Sequence, residues 1–116
     1  VVGVAGSDSK VAFLLNELGF DGAFNYKTTP DYFGQLRRLC PAGVDVYFDN
    51  VGGEILDAVL GNLAFGARIA LCGAISGYND FANMYGIKNY GNLIVRSASL
   101  RGFLLLSYAG RFGEAT

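Results

Sequence analysis

The chain has 116 residues, with nine lysines and arginines against ten aspartates and glutamates, for a net charge of -1. No basic stretch stands out, so nucleic acid is not an expected partner. Histidine is absent and the two cysteines, Cys40 and Cys72, lack the spacing of a metal site, so we expect no metal. The same cysteines are expected to be free thiols in a reducing, cytoplasmic compartment. No apolar run is long enough to cross a bilayer, and a hydrophobic fraction of 52% indicates one globular domain.

Helical and strand-like patterns alternate along the chain. Apolar runs predict strands at residues 1–5, 23–26, 44–48, 67–72 and 101–107. Helices are predicted from a Ser7 cap to Gly19, from Thr29-Pro30 to residue 39, over 53–63 and over 92–100. Residues 76–91, rich in glycine, asparagine and tyrosine, are expected to form a long loop. The leucines of the last strand predict that it is buried.

This alternation predicts an α/β fold, namely a partial Rossmann fold with a doubly wound, mostly parallel sheet. In such sheets ligands bind at the carboxyl ends of the strands. Two predicted strands end in suitable turns: Asp49-Asn50-Val51-Gly52-Gly53 follows one, and the loop from Gly73 to Tyr78 follows the next. The sequence therefore predicts a nucleotide-type crevice, although no glycine-rich phosphate loop is present.

Five motifs resemble one protein family. They are Val2-Gly3-Val4-Ala5-Gly6-Ser7 with Lys10, Leu18-Gly19-Phe20-Asp21, Asn25-Tyr26-Lys27, Tyr47-Phe48-Asp49-Asn50-Val51-Gly52-Gly53 and Cys72-Gly73-Ala74-Ile75-Ser76. Their order and spacing are similar to those of the zinc-independent medium-chain dehydrogenases/reductases. Within that superfamily they resemble the prostaglandin reductases (leukotriene B4 12-hydroxydehydrogenases) and the bacterial curcumin-reductase-like enzymes. The later Leu100-Arg101-Gly102-Phe103 fits the bacterial branch.

The resemblance implies a soluble NADPH-dependent reductase of the carbon-carbon double bond of α,β-unsaturated ketones and aldehydes, commonly a dimer. It implies that residues 1–116 are a fragment of the NADP-binding Rossmann domain. The first strand and its glycine-rich loop are then expected upstream of Val1, and the catalytic domain outside this chain. Without that central strand, the strands at Val1 and Val44 are expected to lack a shared neighbour.

Ser7 and Lys10 are the first candidate cofactor-binding residues. The tip of the first strand carries no acid for a ribose 2′-hydroxyl, whereas Ser7 can donate to a phosphate and Lys10 can neutralise it. The alternative is a solvated Lys10, with Asp8 as the relevant acid. The resemblance implies that Lys10 binds the 2′-phosphate of NADP and that Tyr26 contacts the same region. Tyr26 alone would more often be a half-buried edge residue.

Asn50 is a candidate because its amide can both donate to and accept from a ribose or nicotinamide. The alternative, compatible with it, is a local turn in which Asn50 caps the next helix. Gly52 and Gly53 allow close approach of a ligand to the backbone. Asp49 is expected to hold this loop rather than to do chemistry.

The segment from Cys72 through Gly73, Ala74, Ile75 and Ser76 to Tyr78 offers backbone amides and small side chains for a flat nicotinamide. The resemblance implies that this segment lines the cofactor and substrate pocket. It also implies that Tyr78 donates a hydrogen bond to the substrate carbonyl, a catalytic role; the alternative is a loop tyrosine that packs on its neighbours.

Phe103, Leu104 and Leu105 resemble the family's last strand, whose backbone meets the nicotinamide carboxamide. The alternative is a plain core strand. In the family this strand often pairs across a dimer, which predicts a homodimer through it.

The sequence thus predicts an NADP(H)-dependent oxidoreductase of the alkenal/enone reductase type, acting on a small molecule without nucleic acid or membrane partners. Two alternatives stay open. One is a zinc-free quinone reductase of the same superfamily, and the other is a non-catalytic nucleotide-binding module.

Overall fold

A computed structural model of the chain describes residues 1–73 and 81–115. Its elements in chain order are β1 (Val2–Ala5), α1 (Asp8–Asn16), β2 (Gly22–Asn25), α2 (Tyr32–Leu39), β3 (Val44–Asp49), α3 (Gly53–Leu60), β4 (Leu63–Leu71), a 3₁₀ helix (Phe81–Asn83), α4 (Asn92–Val95), β5 (Ser99–Gly102) and a second 3₁₀ helix (Leu105–Ala115). The predicted α/β class is confirmed. The chain divides into two compact units, Val1–Gly43 and Val44–Thr116.

Unit 1 is a parallel βαβα arrangement. β1 and β2 pair in parallel from Val2↔Gly22 to Ala5↔Asn25. Ser7 caps α1, since its hydroxyl accepts a hydrogen bond from the Lys10 amide at 3.3 Å. The helix ends at Asn16, earlier than the predicted Gly19. Both the Glu17 and the Leu18 amides donate to the Phe13 carbonyl there, which closes the last turn.

The second helix of unit 1 starts later than its Pro30 signal suggested. Asp31 is the N-cap of α2, and its carboxylate accepts from the Gly34 amide at 3.0 Å. Leu36 on α2 and Phe24 on β2 are buried, whereas α1 carries no buried residue. Leu15 on α1 and Leu18, just beyond its end, are exposed.

Unit 2 is a three-stranded parallel sheet with the order β3-β4-β5. Helix α3 packs against it, and every residue from Ile55 to Leu60 is buried. The helix is shorter than predicted, because Leu63 is the buried first residue of β4. Gly66 lies inside β4, where the β3–β4 register shifts. At this irregularity Gly66 has a φ of +73°, and its amide donates a hydrogen bond to the Arg96 carbonyl at 2.7 Å.

The predicted bounds of the last helix and strand are wrong. The helix covers only Asn92–Val95, and β5 runs over Ser99–Gly102. Its ladder with β4 ends at Leu71↔Gly102 because β4 ends there; one further bond joins the Phe103 amide to the Leu71 carbonyl at 3.1 Å. Leu104 and Leu105 lie beyond the strand and are 64% and 57% exposed, so the predicted burial is also wrong.

None of the helices in the described ranges combines the length and the apolar character that a bilayer span requires.

Candidate functional site

The first candidate region is the carboxyl end of the β1–β2 pair, called here the first edge (Gly6, Ser7 and Tyr26). The Tyr26 amide donates to the Ala5 carbonyl at 3.0 Å, so both strands finish at the same level. A Cβ atom at Gly6 would lie 3.1 Å from the Tyr26 ring, which shows how closely that ring packs on the tip of β1. The structure thus places the Tyr26 ring against Gly6, the residue directly before Ser7.

Lys10 lies in the first turn of α1, beside this edge. Its side chain is exposed, and within residues 1–73 and 81–115 its ammonium group has no ion-pair partner. The Ser7 hydroxyl lies 3.1 Å from the Ser9 hydroxyl and also serves as the helix cap. The first edge therefore offers hydroxyl groups and a cation that can meet an anionic group from solvent.

Asp8 is the competing residue at the first edge, because a free acid there would favour a ribose hydroxyl over a phosphate. Its carboxylate accepts a hydrogen bond from the Asn25 side-chain amide at 3.0 Å. This hydrogen bond holds the Asp8 carboxylate at the end of β2, whereas the exposed Lys10 ammonium is available to a ligand.

The second candidate region is the carboxyl end of β3 and β4, called here the second edge (Asp49 to Gly53 with Cys72 and Gly73). Asp49 is fully buried, and one carboxylate oxygen, Oδ1, accepts three hydrogen bonds. The donors are the Val51 amide (2.8 Å), the Gly52 amide (2.9 Å) and the Tyr47 hydroxyl (3.1 Å). Burial raises the pKa of Tyr47, and the adjacent Asp49 charge raises it further, so the phenol stays protonated and donates.

The main chain of Asp49 joins the two strand ends. Its carbonyl accepts from the Cys72 amide at 2.8 Å and from the Gly73 amide at 3.1 Å. The side chain of one residue thus holds the turn after β3, and its carbonyl holds the turn after β4. The prediction that Asp49 holds the loop is confirmed.

Asn50 lies on this turn with an exposed side chain. The N-cap of α3 is Gly52, which makes no side-chain capping bond, so Asn50 does not cap the helix as the alternative reading proposed. Gly52 and Gly53 have φ values of 69° and 60°, a backbone that favours glycine and sets the sharp turn into α3. The turn leaves the Asn50 amide facing solvent.

The remaining predicted site residues divide into two groups. Ala74, Ile75, Ser76 and Tyr78 lie outside the described residues. Phe103 is half-buried, with its ring centroid 6.0 Å from that of Phe48 and 6.2 Å from that of Tyr108. It lines an open groove on the exposed face of the β3-β4-β5 sheet, together with Val46, Arg68 and Arg101. That groove lies on the sheet face rather than at the strand ends.

Sequence reasoning missed two polar residues of unit 2, Asp57 on α3 and Tyr85 in the following connection. Their side chains meet at 2.7 Å although 28 residues separate them. The available signal was a lone aspartate inside the apolar stretch 55–60, since a buried carboxylate needs donors.

Comparison with known proteins places this geometry among dehydrogenases. The family described as "Zinc-binding dehydrogenase" matches residues 1–116. The chain is 48% identical to the 2-alkenal reductase (NADP(+)-dependent) of Nicotiana tabacum, covering 93% of this chain and 31% of that protein. It is 46% identical to the (+)-pulegone reductase of Mentha piperita, again over 93% of this chain and 31% of that protein.

A solved structure also matches the fold of this chain. CurA of Vibrio vulnificus in complex with NADPH superposes with a TM-score of 0.83 at 38% identity, over 98% of this chain and 35% of that one. The chain spans about a third of the length of the curated relatives that it matches.

Proposed function

The chain belongs to the zinc-binding dehydrogenase family, and on that premise we propose that it is the cofactor-binding part of an NADPH-dependent reductase of α,β-unsaturated ketones and aldehydes. One observation carries the proposal: Asp49 ties the turn after β3 to the turn after β4 at one edge of a parallel sheet. Such an edge is where α/β sheets bind nucleotides. The alkenal and pulegone reductases among the relatives, and the resemblance to prostaglandin reductases, support the substrate class.

At the first edge, we assign the 2′-phosphate of NADP(H) to Ser7, Lys10 and Tyr26. The exposed Lys10 ammonium supplies charge, the Ser7 hydroxyl supplies a donor, and the ring of Tyr26 packs on the tip of β1. Because the Asp8 carboxylate is engaged by Asn25, the edge favours a phosphate over a bare ribose hydroxyl.

At the second edge, the exposed Asn50 amide is assigned to the ribose or nicotinamide, and Cys72 and Gly73 to the surface on which the nicotinamide lies. The assignment extends along the chain to Ala74, Ile75, Ser76 and Tyr78. The Phe103 main chain is assigned to the carboxamide, together with Leu104 and Leu105 as the resemblance implies. When bound, the cofactor supplies the hydride for the substrate's β-carbon.

Tyr78 is assigned the one direct catalytic role. A phenol donates a hydrogen bond to the carbonyl oxygen of the enone, where negative charge develops during reduction. This polarisation makes the β-carbon a better acceptor, and a proton then reaches the α-carbon from solvent or a tyrosine.

Zinc does not fit the residues present. The chain has no histidine and only two cysteines, Cys40 and Cys72, and the described residues hold no cluster of three or more Cys, Asp or Glu side chains. Zinc sites in proteins use three or four Cys, His or carboxylate ligands together. We therefore derive no step that involves a metal.

A homodimer that forms through β5 and a cytoplasmic location complete the proposal. Within residues 1–73 and 81–115, β5 pairs with β4 alone, so its other edge is available to a second copy. Both cysteines are free thiols, which suits a reducing compartment.

The test is steady-state NADPH oxidation by the intact protein with a 2-alkenal, a cyclic enone and a quinone as alternative acceptors. We expect turnover of the enal and enone with NADPH, and a much lower rate with NADH. Turnover of the quinone alone would favour the quinone reductase, and NADPH binding without turnover would favour a non-catalytic module.

A further inference from the structure

Helix α3 carries a buried carboxylate that the proposed cofactor contacts do not use. Asp57 is 5% exposed and stands among the buried residues Ile55 to Leu60. A carboxylate removed from water in this way must be compensated by donors, or it destabilises the fold.

The donors come from the connection between β4 and β5. The Tyr85 hydroxyl donates to Asp57 Oδ2 at 2.7 Å, and the Lys88 and Asn89 amides donate to Oδ1 at 3.1 and 2.8 Å. The Asn89 side-chain amide also donates to the Asp57 carbonyl at 3.2 Å. We call these four residues the Asp57 latch.

The electrostatics of the Asp57 latch match its geometry. Burial raises the pKa of Asp57, but the hydrogen bonds from Tyr85, Asn89 and Lys88 together bring it below its ordinary value. The carboxylate is therefore ionised at neutral pH, when it is the better acceptor. The Lys88 ammonium lies 5.5 Å from the Tyr85 ring centroid and adds a favourable contact on the same segment.

The latch lies close to the second edge. Helix α3 starts at Gly53, directly after the Asn50 turn, and Asp57 follows four residues later, about 6 Å along the axis. The connection leaves the same edge at Gly73, where its amide is held by the Asp49 carbonyl. The Asn92 side chain then donates to the Leu60 carbonyl at 3.0 Å. Residues 85–92 are thus fixed alongside α3 from its second turn to its end.

We propose that Asp57 is a positioning residue for the unsaturated carbonyl substrate, because its latch fixes residues 85–92 against α3, the helix that starts at the second edge. The inference rests on the proposed reductase function. Among the described residues the latch hydrogen bonds join Asp57 to Tyr85, Lys88 and Asn89, none of which is assigned to the 2′-phosphate. Loss of the latch is therefore expected to weaken productive enone binding more than NADPH binding.

The test compares Asp57→Ala, Asp57→Asn and Tyr85→Phe in the intact protein. Glu54→Ala is the matched control, because it removes an exposed carboxylate one turn earlier on the same helix. Amide hydrogen exchange at Lys88 and Asn89 reports the latch directly. Steady-state kinetics with an enone, together with NADPH titration, reports its consequence.

For Asp57→Ala we expect faster exchange at both amides, a KM for the enone raised about tenfold or more, and an NADPH Kd within about twofold of wild type. Asp57→Asn keeps an acceptor for the two amides and restores most of the KM. Tyr85→Phe loses one donor, so its enone KM is expected to lie between those of Asp57→Asn and Asp57→Ala. Glu54→Ala is expected to behave as wild type.

Three results would overturn the inference. Unchanged exchange at Lys88 and Asn89 in Asp57→Ala would show that the latch does not hold the connection. Faster exchange with an unchanged enone KM would show that the latch has no role in substrate positioning. A joint loss of enone and NADPH affinity that Asp57→Asn does not rescue would show a purely structural role. Failure of the reductase function itself is seen separately, as absence of enone reduction by the wild type.

Discussion

The first and second edges end parallel strands in the same way but are held together differently. At the first edge the bonds made by Ser7 and by the Asn25–Asp8 pair lie at the exposed surface. At the second edge the fully buried Asp49 accepts from five donors, three at its side chain and two at its carbonyl. The contrast teaches that residues at the first edge can serve a ligand with a smaller contribution to stability, whereas Asp49 at the second edge is part of the folded core.

The strongest way to break this contrast is Asp49→Ala. Two amides and the Tyr47 hydroxyl would lose their acceptor in a buried site, so we expect a loss of about 3 kcal/mol in the free energy of unfolding. Urea unfolding of the intact protein measures it. Asp45→Ala, at an exposed position of the same strand, is the control and should change stability by less than about 0.5 kcal/mol. Equal midpoints for the two variants would contradict the central role of Asp49.

Lys10→Ala sharpens the other side of the contrast. We expect NADPH affinity to fall about tenfold, equivalent to about 1.4 kcal/mol, because the 2′-phosphate loses its cation. Fluorescence titration measures the Kd, and the NADH Kd should stay unchanged, since NADH lacks that phosphate. The unfolding midpoint should match wild type; a parallel loss of NADH affinity would argue against the assignment.

Ser7→Ala tests whether the first edge contributes to stability at all. Loss of the capping bond to the Lys10 amide is expected to cost about 1 kcal/mol. Thermal unfolding gives the shift, and Ser7→Asp, which can still cap, should recover it. A loss near that of Asp49→Ala would erase the difference between the two edges.

The smallest effect at neutral pH concerns Asp57. Its pKa is lowered in the folded chain from the model-compound value of 3.8, so its stabilisation is complete above that value and is lost as the pH falls through the folded pKa. Asp57→Asn removes this titration. The free energies of unfolding of wild type and Asp57→Asn should therefore differ at neutral pH and converge in acid. A difference that stays constant with pH would contradict the lowered pKa of Asp57.

The sequence predicted the features that depend on local chemistry. The apolar run at 44–48, followed by a polar pair and two glycines, identified the β3 turn, and Ser7 identified the start of α1. It failed where long-range packing decides. Leu63 continues the helical spacing of α3 but starts β4 because it enters the sheet core, and Leu104 looks like core but follows the end of the β4 ladder.

The same limit applies to the candidate site. The glycines that follow the predicted strands indicated turns there, and these strand ends predicted Asn50, Cys72 and Gly73 at one edge of the sheet. No local pattern could pair Asp57 with Tyr85, because their contact joins residues 28 positions apart in the sequence.

Gly66 offers a use for mirror-image chemistry. Its φ of +73° is one that D-amino acids prefer, and an L side chain there would meet nothing within 4 Å, so the strain on L-alanine is one of backbone conformation alone. A semisynthetic chain with D-alanine at position 66 would restrict the unfolded ensemble at a φ that this residue favours. We expect D-alanine to raise the free energy of unfolding by about 0.4 to 1 kcal/mol and L-alanine to lower it. The difference between the two would measure how far the β4 irregularity depends on handedness alone.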